Sequence, residues 1–321
     1  MPASAPAAAP VVSAPQPRAF AYVVLSVADM ERALGLWVER FGMQVLARRE
    51  GRDADLARVW GLAADDIVDQ ALLRTPGVPV GGVHLVRFRV PGPTVRADAA
   101  PTDWVIKSVD IAVRDIDARY AELSAAGYRF RAPVGRLRTA TLEFLETHMF
   151  GPDDVNLVLI EIPSQPLPAS DRGYGIAPQI VIVTPDNTRE AAFLQEVVGL
   201  APLSRNTFSG PEIEKSVGLP PGASLDVRIL GDPEQAFGRI ELVQYSGAPS
   251  RNLHPRARPP ARGLLSVTYV VPQLDHILSR GQPFGIADHG PVSTVLGEGR
   301  LASVVSPAGV RLDFFVAGSA R

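Results

Sequence analysis

Two octets of this chain write the same strand around different ionisable residues. "GGVHLVRF" (81–88) and "GRIELVQY" (238–245) share a leading Gly, a central Leu-Val pair and a closing aromatic, and His84 stands where Glu241 stands. An imidazole there would suit proton transfer or metal ligation. A carboxylate there would suit general base chemistry, or ligation of a hard cation. His84 is flanked by Val83, Leu85 and Val86, so its expected role is that of a hydrogen-bonded core residue. Glu241 is therefore the stronger chemical candidate. Near the C-terminus Arg311 and Asp313 lie two residues apart, on one face of a strand. Arg311 is expected either to bind an anionic substrate or to pair with an acid. Tyr245 and Phe315 lie four and two residues beyond their acids and read as apolar pocket walls. His289, in "ADHGP", opens a strand and is placed to reach the same pocket; His148, in "LETHMFGPDD", falls on another strand, facing either a pocket or solvent.

Other chemistries lack their residues. The chain has no cysteine, which removes disulfides, thiolate metal sites and Cys nucleophiles. It has no Gly-rich phosphate loop, no G-x-S-x-G elbow and no H-E-x-x-H. Its formal charge is -2 with both signs interspersed, which gives no footprint for nucleic acid or an anionic membrane. The basic stretch "RNLHPRARPPAR" (251–262) is Pro-rich and reads as a solvated linker. No run of about 18 apolar residues is present to span a bilayer, and the Ala/Pro-rich tail at 1–18 reads as disordered rather than as a secretory signal. A soluble cytoplasmic protein is expected, with a small molecule as its partner.

The elements that hold these residues come in copies. The offset of 157 residues from His84 to Glu241 also relates Asp29 to Asp186, Arg32 to Arg189, Glu39 to Glu196, Gly42 to Gly199, Leu46 to Leu203 and Gly61 to Gly218. Residues 20–90 and 177–247 are thus copies. A looser likeness relates "SVDIAVRDIDARYAELSAAG" (108–127) to "SVTYVVPQLDHILSRG" (266–281), and "GPDDVNLVLIEI" (151–162) to "SPAGVRLDFFVA" (306–317). Each unit opens on an alternating strand, such as "YVVLSVAD" or "QIVIVTPD". An Asp or its equivalent then caps a helix, and "MERALGLWVERFG" has helical periodicity ending on Gly. Further strands follow, so a unit reads β-α-β-β-β.

This pattern resembles the vicinal oxygen chelate superfamily, which includes glyoxalase I, bleomycin-resistance proteins and extradiol dioxygenases. The resemblance rests on "YVVLSVADMERALGLWVERFGM", "GLAADDIVDQALLRTPGVPVGGVHLVRF", their second-half copies and "FGPDDVNLVLIE", and it covers residues 20–317. It implies an α+β fold of four βαβββ units paired into two open-barrel halves. The first half would be 19–163, with units at 19–92 and 104–163. A linker at 164–176 would lead to a second half at 177–318, with units at 177–247 and 263–318. Four units could make two complete pockets in one chain, so a monomer or a homodimer is expected.

In that superfamily metal ligands come from the first and last strands of a unit. The resemblance carries these positions onto Tyr22 and His84, Ser108 and Val158, Gln179 and Glu241, and Ser266 and Asp313. Tyr22, His84 and Ser108 would line a first-half pocket, with Tyr22 a candidate partner for His84. Gln179, Glu241, Ser266 and Asp313 would line the second. The imidazoles of an extradiol dioxygenase are missing from the second set, which argues against that activity. A glyoxalase-like lyase or isomerase is expected, with Glu241 and Asp313 as an acid/base pair and Gln179, Ser266, Arg311, Tyr245, Phe315 and His289 around the substrate. The expected pocket needs no cofactor; the alternative is a divalent ion held by Gln179, Glu241 and Asp313. A non-catalytic binding or resistance protein is the second functional reading.

Overall fold

Four aspartates start four helices. Asp29, Asp53, Asp115 and Asp186 each accept a hydrogen bond from a backbone amide two or three residues downstream, which satisfies donors that a helix start leaves open. A computed structural model describes residues 19–139 and 142–318; the Ala/Pro-rich tail lies outside the described residues. Unit one comprises β1 (Tyr22–Ser26), α1 (Met30–Leu34, running on into a π-helical turn at Gly35–Arg40), β2 (Gln44–Glu50), α2 (Ala54–Val59), β3 (Ile67–Arg74) and β4 (Gly82–Phe88). Unit two comprises β5 (Ile106–Val113), α3 (Ile116–Ala125), β6 (Arg129–Phe130), β7 (Gly135–Arg138), β8 (Glu143–Phe150) and β9 (Asn156–Glu161). Unit three comprises β10 (Tyr174–Val183), α4 (Asn187–Phe193, again followed by a π-helical turn, Leu194–Val198), β11 (Ala201–Ser209), α5 (Pro211–Val217), β12 (Ser224–Gly231) and β13 (Arg239–Ser246). Unit four comprises β14 (Gly263–Val270), α6 (Asp275–Gly281), β15 (Ala287–Thr294), β16 (Gly297–Val305) and β17 (Arg311–Ala317). In every unit the first and last strands run parallel and adjacent.

The units form two curled sheets, as the resemblance implies, but with different partners. One sheet runs β15-β16-β17-β14-β1-β4-β3-β2 and joins units one and four. The other runs β11-β12-β13-β10-β5-β9-β8-β6, with β7 on β8, and joins units two and three. The expected pairing of one with two and three with four is therefore corrected. The seams are antiparallel, β1 on β14 and β10 on β5. Copied units present near-equivalent seam strands, so strand patterning alone does not choose between neighbour and remote copy. The crossovers distinguish them. Residues 93–104 and 251–262 run side by side, bridged at Thr94–Arg262 and Trp104–Asn252. Buried Asp103 accepts from both the backbone and the guanidinium of Arg251 there, the latter at 2.7 Å.

Strand alternation separates two kinds of interior. Val23, Leu25, Val109, Ile111, Ile180, Ile182, Val267 and Tyr269 point to one face and share a single core with Trp37, Phe41 and Phe193 from the helical segments. The opposite faces hold separate clusters. Val24, Val86 and Leu265 pack on Leu56 and Ala57 of α2, while Val181, Val243 and Val227 pack on Ile213 and Val217 of α5. The opening glycines of the two octets are conformational necessities. Gly81 and Gly238 have φ of 69° and 77°, and an added Cβ would meet the Ala177 carbonyl at 2.5 Å and the Phe20 carbonyl at 2.7 Å. No helix among the described residues is long and apolar enough to cross a membrane.

Candidate functional site

The same alternation that sends Ile180, Ile182, Ile240 and Leu242 into the shared core turns Gln179, Glu241 and Tyr245 to the other face of the units two–three sheet. Ser108 and Asp110 of β5 face the same way, because Val109 and Ile111 are core. Across the seam Val181 pairs with Ser108 but Ile182 pairs with Ile106. Lys107 is the extra residue of this β-bulge. It is buried, donates to the Tyr245 hydroxyl at 2.6 Å and lies 5.1 Å from the centre of that ring. Strand β8 adds Glu146 and His148, two apart on one face; His148 Nε2 lies 3.4 Å from Glu146, which also accepts from Ser216 of α5 at 2.8 Å. Asn156 holds the other ring nitrogen of His148 at 3.1 Å.

Gln179 ties the two remaining acids together. Its Nε2 donates to Asp110 at 2.9 Å and also to Glu241. Burial, then the charge of Glu146, pushes the Glu241 carboxyl up to about 7. Asp110 is raised by burial and by Glu241 itself. Burial opposes the charge on Glu146, but His148, Ser216 and Lys107 hold its pKa below the ordinary value. Lys107 is brought down to about 7 by burial and by the nearby Arg96 and Arg131. Burial and the two glutamates raise Tyr245, which stays a phenol. The Ser108 hydroxyl and Asp110 Oδ1 are buried without a hydrogen-bond partner among the described residues. Two such atoms in one polar cluster are what a ligand would satisfy.

The units one–four face is built differently. His84 bonds to Gln70 at 2.9 Å, Gln70 donates to Asp53 at 2.9 Å, and burial lowers His84 to about 3. This is the expected core histidine, but its partner is Gln70; Tyr22 instead accepts from Arg74 at 2.6 Å. Ser266 donates to Asp313 at 3.3 Å and Arg311 donates to Asp313 at 2.8 Å. Phe315 packs against Val59, Val292 and Leu301, and Leu56 and Ala57 of α2 are buried against the concave face. His289 bonds to Ser303 at 2.7 Å.

The expected constellation is thus split between the sheets. Gln179, Glu241 and Tyr245 stay together, while Ser266, Asp313, Arg311, Phe315 and His289 stand on the other sheet; Ser108 leaves Tyr22 and His84 to join Gln179 and Glu241. Unit pairing accounts for this, because each seam joins a first-half unit to a second-half unit. Asp110, Glu146 and Lys107 had not been singled out in the sequence. Asp110 is two residues beyond Ser108 and Glu146 two before His148, so alternation alone would have found both. Lys107 breaks the alternation through its bulge and left no local signal.

A family profile described as the Glyoxalase/Bleomycin resistance protein/Dioxygenase superfamily matches residues 19–159. The match covers less than half of the chain, and its two units stand in different sheets. Among solved structures, glyoxalase I from Zea mays is similar at 15% identity, with a TM-score of 0.61 over 93% of this chain and 92% of that one. A putative dioxygenase from Bacillus subtilis is similar at 9% identity, with a TM-score of 0.57 over 96% of this chain and 87% of that one. At these identities the likeness is one of fold. No curated protein matches in sequence.

The superfamily's metal positions can be tested on their donors. In the units two–three pocket they are Ser108, Val158, Gln179 and Glu241, which supply one carboxylate and no imidazole. Gln179 turns its amide N–H toward the acids. In the other sheet they are Tyr22, His84, Ser266 and Asp313, of which His84 is bonded to Gln70 and Asp313 to Arg311. Asp313 and Glu241 stand on different sheets and do not form one ligand set. These residues do not fit the imidazole and carboxylate sets that such an ion needs.

Proposed function

We propose that this protein is a glyoxalase-like small-molecule enzyme, a lyase or isomerase that moves a proton on a carbon beside a carbonyl, at the polar cluster on the units two–three sheet. The observation that carries this reading is the pair of acids, buried Asp110 and half-buried Glu241, bridged by Gln179 beside Lys107 and Tyr245. Like charges this close resist ionising together, so one acid keeps a proton while the other serves as base. Glu241 as carboxylate removes the proton. The C–H electron pair moves onto the carbonyl oxygen, and the Lys107 ammonium donates a hydrogen bond to that oxygen. Glu241 returns the proton to the same carbon or to its neighbour. In this reading Asp313 and Ser266 are structural.

Hydrogen–deuterium exchange at the carbonyl-adjacent carbon, followed by NMR in D2O over a panel of 2-oxo acids and aldehyde–thiol adducts, tests the reading. Glu241→Gln should slow exchange by about 10²–10⁴-fold, while Asp313→Asn should leave it unchanged. Wild-type exchange in Glu241→Gln would defeat the proposal. Ligand binding without exchange in the wild type would favour the binding-protein reading.

A further inference from the structure

A cleft of ≈ 520 Å³ adjoins this polar cluster at Asn156 and is lined in part by Arg96, Arg131, Tyr128 and Phe150. Asn156 connects the two, since it also bonds to His148. Among the described residues Arg96 and Arg131 form no salt bridge. Arg96 Nη1 and Arg131 Nε are buried without a hydrogen-bond partner, and the remaining protein contact of Arg96 is a 3.5 Å bond from Nη2 to the Ala100 carbonyl. Arg131 lies over the Phe150 ring at 5.3 Å. The two guanidiniums repel each other, and both act on Lys107 and Tyr245. Of the acids lining the cleft, Asp98 pairs with Arg251 and Arg256; Asp154, which accepts from Thr94, and Asp103 favour the charge of Arg96 without forming a salt bridge to it.

A desolvated cation without a counter-ion is costly, and two side by side more so. A planar guanidinium fork matches the oxygens of a carboxylate or phosphate. We propose that Arg96 and Arg131 form a clamp for the anionic group, carboxylate or phosphate, of the small-molecule substrate. This rests on the acid/base reading in placing the substrate's carbonyl toward Lys107 and Glu241. The bound anion neutralises the pair and aims the rest of the molecule past Asn156 at the acids.

The test is isothermal titration calorimetry of the full chain with inorganic phosphate and with malonate, at constant ionic strength. Saturable binding of at least one is expected, and the tighter of the two identifies the anionic group. Arg131→Gln and Arg96→Gln should each weaken it by roughly tenfold or more, about the loss of one charge-assisted bond. Arg131→Lys should weaken it less, and Arg136→Gln, an equal charge change on an exposed residue paired with Glu143, should not. No saturable binding of either anion, or equal binding by Arg131→Gln and wild type, overturns the clamp. If the variants fail to fold, the Arg131 Nε–H resonance of the wild type must shift on phosphate titration; a static resonance overturns the clamp equally. Glu241→Gln should still bind the anion, so loss of the acid/base reading and loss of the clamp give different results.

Discussion

Asp110 and Glu241 accept hydrogen bonds from the same amide nitrogen, that of Gln179. The amide lowers the pKa of both acids, against burial, which raises both, and against the charge of Glu146 on Glu241 and of Glu241 on Asp110. Gln179→Met removes that support and keeps the volume. The Glu241 pKa should then rise further, so its basic form appears only at higher pH. The acid limb of the pH–rate profile for deuterium exchange should move up by roughly one pH unit, about the worth of one hydrogen bond. An unmoved limb would show that the amide does not set the ionisation.

Glu241 should also cost stability. Its folded pKa lies near 7, above the ordinary 4.5. A raised folded pKa means that the folded state holds the proton more tightly. That contribution is fully present below pH 4.5 and is lost as pH rises through about 7. Glu241→Gln removes the loss. It should raise the free energy of unfolding at pH 8 by on the order of 2 kcal/mol, and change it little at pH 4.5. Thermal unfolding across this window checks it; an equal effect at both pH values would contradict it.

Acid should destabilise through the buried histidines. Burial takes His84 to about 3 and His254 to about 4, from 6.5. With folded pKa values depressed, their neutral forms contribute stability above pH 6.5, and this is lost as pH falls toward 4 and then 3. Each histidine should cost roughly 1.4 kcal/mol per pH unit in that interval. The melting temperature should fall between pH 7 and pH 5, and His84→Gln should flatten the slope. A slope identical to wild type would remove His84 from the account.

Unit pairing makes a prediction about fragments. Residues 19–163 carry β1 and β5 without the seam partners β14 and β10. Expressed alone, neither 19–163 nor 164–318 should behave as a well-folded monomer, because each exposes two unpaired seam strands. Mixed, they should assemble one to one, which light scattering after size-exclusion chromatography would detect. A stable, monomeric 19–163 would contradict the pairing.

What the sequence determined by itself was local and repeated. The 157-residue offset, the Asp caps and the two-residue alternation identified four units. The copied octets and strand alternation singled out Glu241 and Tyr245, and the resemblance to the superfamily carried an open-face position onto Gln179. These features are legible because helix capping and strand alternation depend on residues a few positions apart. Only the tertiary structure decided which unit completes which pocket. Near-equivalent seam strands do not encode their partner locally; the paired crossovers, locked at Asp103 and Arg251, mark the choice that is made. That choice parts Glu241 from Asp313 and gives it Asp110 and Glu146 instead. The bulge that turns Lys107 inward is likewise a property of the β5–β10 register, formed only when two distant strands meet.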